Sequence, residues 1–235
     1  MKRDENTNLF KRGVVYSKFI IQNSSFIIQN SKLYKMSKGI WDWQVVQLIT
    51  GLSLLLYIFL FGYYGFTETA NREAIQWSGR ISFLCFNLAF VANSLHQVLK
   101  NSLSFWLLMN RKYWGISFAI SHWIHLFFLG ILQYAFHPVF IVAQPSSIAA
   151  GTLAYFFLTM MLLTSFERFA QLISKKNWKL LHLIGGAWIW IIFMSTYLKR
   201  ALREPAHWGY IGILLLVLFL RTRHWSKKRK SVVVK

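Results

Sequence analysis

Four histidines carry the chemical interest of this chain. His122 and His125 sit three residues apart at the end of a stretch that runs Asn110-Arg111-Lys112-Tyr113-Trp114-Gly115 and then turns mostly apolar. His96 and His182 also fall inside apolar runs. An imidazole in lipid-like surroundings is costly, so each is expected to face protein and to have a partner. The bland alternative is a histidine hydrogen-bonded between helices as structural glue. Three chemistries compete for these side chains. A proton relay usually adds Asp or Glu within the apolar runs, and here the runs are almost free of carboxylates, with Glu167 at a helix end. Zinc needs three or four converging ligands, and histidines at i and i+3 supply two. Haem iron needs neutral imidazoles facing each other across a bundle and no carboxylate, which this composition suits best. His137, His207 and His224 fall in or beside loops and read as interfacial polar residues.

The elements that must position these side chains are membrane spans. The 235 residues are 55% hydrophobic and 14% charged, against roughly 25% charged in soluble domains. The apolar residues cluster in blocks near the ~20 residues a helix needs to cross a bilayer. The expected class is all-α: one polytopic domain over 45–220 with six transmembrane helices. The spans are placed at 45–66, 79–99, 113–134, 149–166, 178–198 and 206–220. Trp41, Trp43, Tyr63 and Tyr64 mark the two interfaces of the first span. Residues 67–78 read as a polar loop. Residues 100–112 read as a connection with Phe105-Trp106-Leu107-Leu108 along the interface. Residues 221–235 read as a basic cytoplasmic tail.

The formal charge of +20 does not point to nucleic acid, because the basic residues stand at the ends of the apolar blocks. With six spans and the N-terminus inside, inner segments carry 22 Lys and Arg against 5 outside. Both termini are therefore expected in the cytoplasm, in a plasma or inner membrane, with the tail against anionic headgroups. A single cysteine, Cys85, excludes an internal disulfide and reads as a small packing residue.

Residues 1–44 are polar, basic and irregular and read as a disordered region. Phe19-Ile-Ile-Gln-Asn-Ser24 repeats as Phe26-Ile-Ile-Gln-Asn-Ser31, and two copies are too few for a coiled coil. The repeat suggests translated upstream sequence, with Met36 as the true start. From Met36 the charge count is still 15 against 5.

Several fragments, in order, resemble the ferric reductase-like transmembrane superfamily, and within it the haem-bearing membrane subunits. Arg111-Lys112-x-x-Gly115-x-x-x-Ala119 followed by His125 is similar to its third-span motif. Ser78-Gly79-Arg80-Ile81 opens the second span as that family's Thr-Gly start does. Gly151-Thr152-Leu153-Ala154 with Leu163-Thr164-Ser165 matches the fourth, and Trp178-x-x-Leu181-His182 the opening of the fifth. The resemblance covers about 78–198. It implies a six-helix bundle holding one or two b-type haems, with His125 and His182 as iron ligands; His96, by its depth, and His122, beside the motif, are further cofactor-site candidates. It also implies electron transfer to an unknown acceptor. No FAD or NAD(P) fingerprint is present in this chain, so a separate flavin reductase or a quinol would be the donor. The family carries another fifth-span histidine about thirteen residues after the first, where this chain reads Met194-Ser195-Thr196-Tyr197. The rival expectation is a haemless member of the same fold acting as scaffold, assembly factor or transporter.

Depth along the helices separates the candidates. At 1.5 Å per residue His182 lies roughly 6 Å from the inner end of its span, His96 about 5 Å, His122 roughly 14 Å and His125 roughly 18 Å. Depth pairs His182 with His96, and the motif pairs it with His125. Gly185, Gly186, Gly115 and Ala119 would let a flat macrocycle or a neighbouring helix approach, and Trp188, Trp190 and Phe193 would wall a cofactor or fill the bundle.

Overall fold

The computed structural model describes residues 42–136 and 145–233, with side chains described over 42–136 and 148–223. The haem-independent expectations for 1–41 and for His137 lie outside these residues, as does the side chain of His224. Every regular element among the described residues is helical: α1 Trp43–Tyr64, α2 Glu68–Leu99, α3 Ser102–Met109, α4 Arg111–Ala135, α5 Pro145–Leu163, the single turn α6 Glu167–Ala170, α7 Lys175–Ala201, a 3₁₀ turn Pro205–His207, and α8 Trp208–Val233.

Five segments are long and apolar enough to cross a membrane: α1, α2, α4, α7 and Pro205–Arg223. They mark the chain as an integral membrane protein. The expected fourth span corresponds to α5, whose 19 residues extend about 28 Å against a hydrocarbon core of ~30 Å. Its apolar part, Ile148–Leu163, is shorter still, so five helices rather than six meet the length condition.

One connection differs from the sequence reading and two others gain definition. Residues 67–78 are not a loop. Thr67 Oγ1 accepts from the Ala70 N–H as an N-cap, Glu68 and Arg72 pair at 2.6 Å one turn apart, and α2 begins there. Asn101 opens α3 with a capping box to Ser104. Phe105 and Leu107 of α3 are buried while Leu103 and Met109 are exposed, so one face of this short helix packs on the bundle. The basic segment after 220 continues α8 to Val233, since Lys and Arg are good helix formers and nothing terminates the helix at Leu220.

The bundle is built on the antiparallel pair α2–α4. Their contact faces carry small and polar side chains at helical spacing, which lets the two backbones approach. Ser121 Oγ donates to the Ser78 carbonyl at 3.1 Å, and Ser82 Oγ lies 3.1 Å from Ser121 Oγ. Nearer one end, Asn71 Nδ2 donates to the Phe128 carbonyl at 3.0 Å. Phe86 against Phe118, 5.2 Å between centroids, marks the middle of the pair. α7 runs parallel to α4, with Phe193 packed on Phe86, Phe118 and His122. α5 runs antiparallel to α7: Trp188 Nε1 donates to the Ala150 carbonyl and Trp178 Nε1 to the Thr164 carbonyl. α8 closes the other flank, where Trp190 Nε1 donates to the Leu214 carbonyl. Trp188, Trp190 and Phe193 thus fill the bundle. Cys85 is fully buried in the same core, as a packing residue should be.

Candidate functional site

A cavity of about 340 Å³ opens between α2, α4, α5, α7 and α8 at the end where α4 begins. Phe86, Phe90, Phe118, Leu158 and Met161 form most of its apolar wall. Arg111, Lys112 and Arg221 stand at its rim, with the exposed carboxylate of Glu167 as the opposing charge. His182 projects into this cavity from α7, one turn before Gly186.

Each of these side chains is placed for a local reason. Lys112 lies 5.7–5.8 Å over the rings of Tyr113 and Phe166, holding its charge at the helix end. Arg111 Nε donates to the Ala89 carbonyl at 3.0 Å. Arg221 donates to the Phe90 carbonyl at 3.1 Å and stacks on the Phe90 ring at 3.8 Å. The sequence reading put Arg221 at the start of a basic cytoplasmic tail. Its role at the cavity becomes visible only because α8 continues past Leu220 and lies against α2.

His182 is held by Trp178, 4.2 Å away between ring centroids, and by Thr164. Thr164 Oγ1 donates to the Met160 carbonyl at 2.7 Å, which commits its proton. The 3.3 Å contact between Thr164 Oγ1 and His182 Nε2 is therefore Nε2–H donating to the hydroxyl. In this arrangement the lone pair of His182 is on Nδ1.

His125 and His122 form a separate cluster. Their rings stack at 5.4 Å with 12° between planes. His125 Nδ1 lies 3.0 Å from the Ile75 carbonyl, which can only accept, so Nδ1 carries the proton and Nε2 the lone pair. Ser78 Oγ stands 3.0 Å from the same nitrogen. A carbonyl on one ring nitrogen is the arrangement that orients a metal-ligating histidine. His122 is sandwiched between His125 and Tyr155, whose hydroxyl donates to the His122 carbonyl. Nothing in the sequence pattern singled out Tyr155 or Ser78 as partners of these histidines. His122 Nδ1 is buried without a hydrogen-bond partner.

His96 occupies neither place. It is buried with Nδ1 3.0 Å from Ser104 Oγ and its ring on Phe105, and so ties α2 to α3.

His125 and His182 do not face each other. His122 packs on Phe193, 5.9 Å between centroids. Phe193 stands eleven residues beyond His182 on α7, which is ~16 Å along a helix, and His125 lies almost a further turn outward. Two imidazole nitrogens on one metal ion stand about 4 Å apart, at a metal–nitrogen distance near 2 Å. The pair expected from the third and fifth spans is therefore not assembled on one iron. His125 is instead level with the end of α7 around Tyr197, where this chain has no histidine. The depth-based partner His96 is engaged elsewhere. Among the described residues no group of three or more His, Cys, Asp or Glu side chains converges to hold a metal ion.

The two small-residue pairs also separate. A Cβ on Gly185 would meet Met161 Sδ at 2.6 Å and Phe157 Cβ at 3.2 Å, and one on Gly186 would meet Phe90 at 3.1 Å. These glycines admit neighbouring side chains. A Cβ on Gly115 would meet nothing within 4 Å, since Gly115 faces the cavity.

The cavity residues fit a haem in part. They offer one imidazole, apolar and aromatic walls, and three cations at one mouth where carboxylates would sit. Ligation through His182 Nε2 requires that nitrogen to exchange its Thr164 bond for iron. No protein-family model matches this chain, and no curated protein or solved structure shows significant similarity to it.

Proposed function

We propose that this is an integral membrane b-type haem protein, resembling the ferric reductase-like membrane subunits, that passes electrons between a separate donor and an acceptor. The observation that supports the reading is the cavity that joins His182, aromatic walls and the cations Arg111, Lys112 and Arg221 in one place. An amphipathic dianion with a flat apolar body suits that combination, because its carboxylates meet guanidinium and ammonium groups while its body leaves water. His182 would supply the imidazole that holds the iron. Arg111, Lys112 and Arg221 would hold the propionates. Gly115 leaves space on the α4 side. Haem supplies one-electron chemistry when bound, and the protein sets ligand, dielectric and access.

The excess of Lys and Arg at one end of the spans, counted with α5 as a sixth crossing, supports a cavity on the cytoplasmic side of a plasma or inner membrane with both termini inside. A flavin reductase or a quinol would deliver electrons there. The acceptor is a separate molecule.

The test is a reduced-minus-oxidised visible spectrum of the protein purified from haem-supplemented cells. A b-type signal that is lost in His182→Ala and kept in His125→Ala supports the reading. A folded, monodisperse protein with no such signal refutes it. The separation of His125 from His182 favours a second reading, a haemless scaffold or transporter of the same fold, and that outcome would select it.

A further inference from the structure

We propose that, while no haem is bound, the cavity takes one anionic phospholipid of the surrounding leaflet, with the phosphate at the basic mouth and one acyl chain along the aromatic wall. The inference goes beyond the haem reading and does not rest on it. It comes from how polarity is divided along the cavity. Arg111, Lys112 and Arg221 gather at the mouth against the one carboxylate of Glu167. Arg111 and Arg221 stand close enough to repel each other. Arg111 spends Nε on the Ala89 carbonyl, and its terminal nitrogens bond no group among the described residues. Neither ion pair among those residues, Glu68 with Arg72 or Glu204 with His207, involves Arg111 or Lys112. α4 also begins here, at Asn110, without a side-chain cap, so its positive end adds to the same field. Like charges gathered at the edge of a low-dielectric bundle repel until an anion sits between them.

Behind the mouth the lining turns apolar, with Phe86, Phe118, Ala119, Leu158, Met161 and Leu162 carrying it inward. Thr164 and Ser165 donate their hydroxyl protons to the Met160 and Met161 carbonyls. Cationic donors for an anion are therefore confined to the mouth. Inorganic phosphate would leave the apolar wall in water, and a zwitterionic lipid would bring its own ammonium to the cations. An amphipathic anion satisfies both parts. The volume of about 340 Å³ is at the low end of the ~300–1,000 Å³ of ligand pockets, so it takes a phosphate and one chain and leaves the second chain in the bilayer. Basic pockets between spans on the cytoplasmic side recognise anionic headgroups, and this mouth lies at the basic end of the spans. Such binding leaves the bond from His182 Nε2 to Thr164 in place, whereas ligation of iron there must break it.

The experiment uses the full chain, haem-free, in vesicles of phosphatidylcholine alone or of equimolar phosphatidylcholine and phosphatidylglycerol. The protein is then extracted into neutral detergent and its intact mass measured. One phosphatidylglycerol per chain should be retained from the mixed vesicles, and no phosphatidylcholine from either. In titration with phosphatidylglycerol, Arg111→Gln should bind about five-fold more weakly, the contribution of one cation near an anionic surface. Gly115→Leu keeps every charge and fills open space on the cavity wall, so it should abolish retention. Lys227→Gln with Lys228→Gln removes charge from the tail instead and should leave retention unchanged. Inorganic phosphate should not displace the lipid. Equal retention of the two lipids, full retention in Gly115→Leu, or displacement by inorganic phosphate overturns the inference. Retention of phosphatidylglycerol by a protein that takes up no haem leaves this inference standing and refutes the haem reading, and haem uptake without lipid retention does the reverse.

Discussion

Thr164→Val should tighten haem binding. Thr164 Oγ1 accepts from His182 Nε2–H at 3.3 Å, so it occupies the nitrogen that iron would use. Valine keeps the branched shape at a position only 9% exposed and removes the acceptor. The bond from Trp178 Nε1 to the Thr164 carbonyl involves backbone and survives, so the ring of His182 keeps its support. A net hydrogen bond of this kind contributes about 0.5–1.5 kcal/mol. Its removal from the haem-free state should lower the haem dissociation constant about two- to twelve-fold, toward the smaller value because the contact is long. The assay is titration of haem into apoprotein in detergent, followed at the Soret band. Unchanged or weaker binding would refute the reasoning, since it would mean that Thr164 does not compete with iron for Nε2.

Other outcomes follow from the same geometry. Arg111→Gln and Arg221→Gln should each weaken haem binding, more at low salt than at high salt, because charge-assisted bonds to carboxylates are screened; salt-independent loss would contradict the propionate assignment. Gly185→Ala should cost about 1–3 kcal/mol of stability by overpacking, read from thermal unfolding in detergent. Pairing it with Met161→Ala should recover part of that loss, because Met161 Sδ is the nearer obstacle at 2.6 Å and Phe157 remains at 3.2 Å. Asn71→Leu should lower stability by about 0.6–1.7 kcal/mol through loss of the bond to the Phe128 carbonyl, and a stabilising effect would show that the bond is not formed.

The sequence by itself determined the all-helical membrane class and most helix positions. Runs of apolar residues with charges only at their ends have one stable arrangement in lipid, where each backbone group must be bonded within its own helix. It also supplied the four histidines as candidates, because an ionisable group inside such a run stands out from composition alone. It misjudged 67–78 as a loop because that segment is polar, and polarity says nothing against a helix that is capped by Thr67.

Which histidines meet was decided only by tertiary structure. That depends on the register between α4 and α7, which the packing of Phe118 and His122 on Phe193 sets. A motif places His125 and His182 at positions along two helices, but a helix slid by eleven residues carries its side chain ~16 Å away. The cavity likewise needs five helices at once, including Arg221 from a segment distant in sequence from the rest. The hydrogen bonds of Ile75 to His125 and Thr164 to His182 assign the lone pair of each ring, and no pattern within one helix could have assigned it, because the partner stands on another.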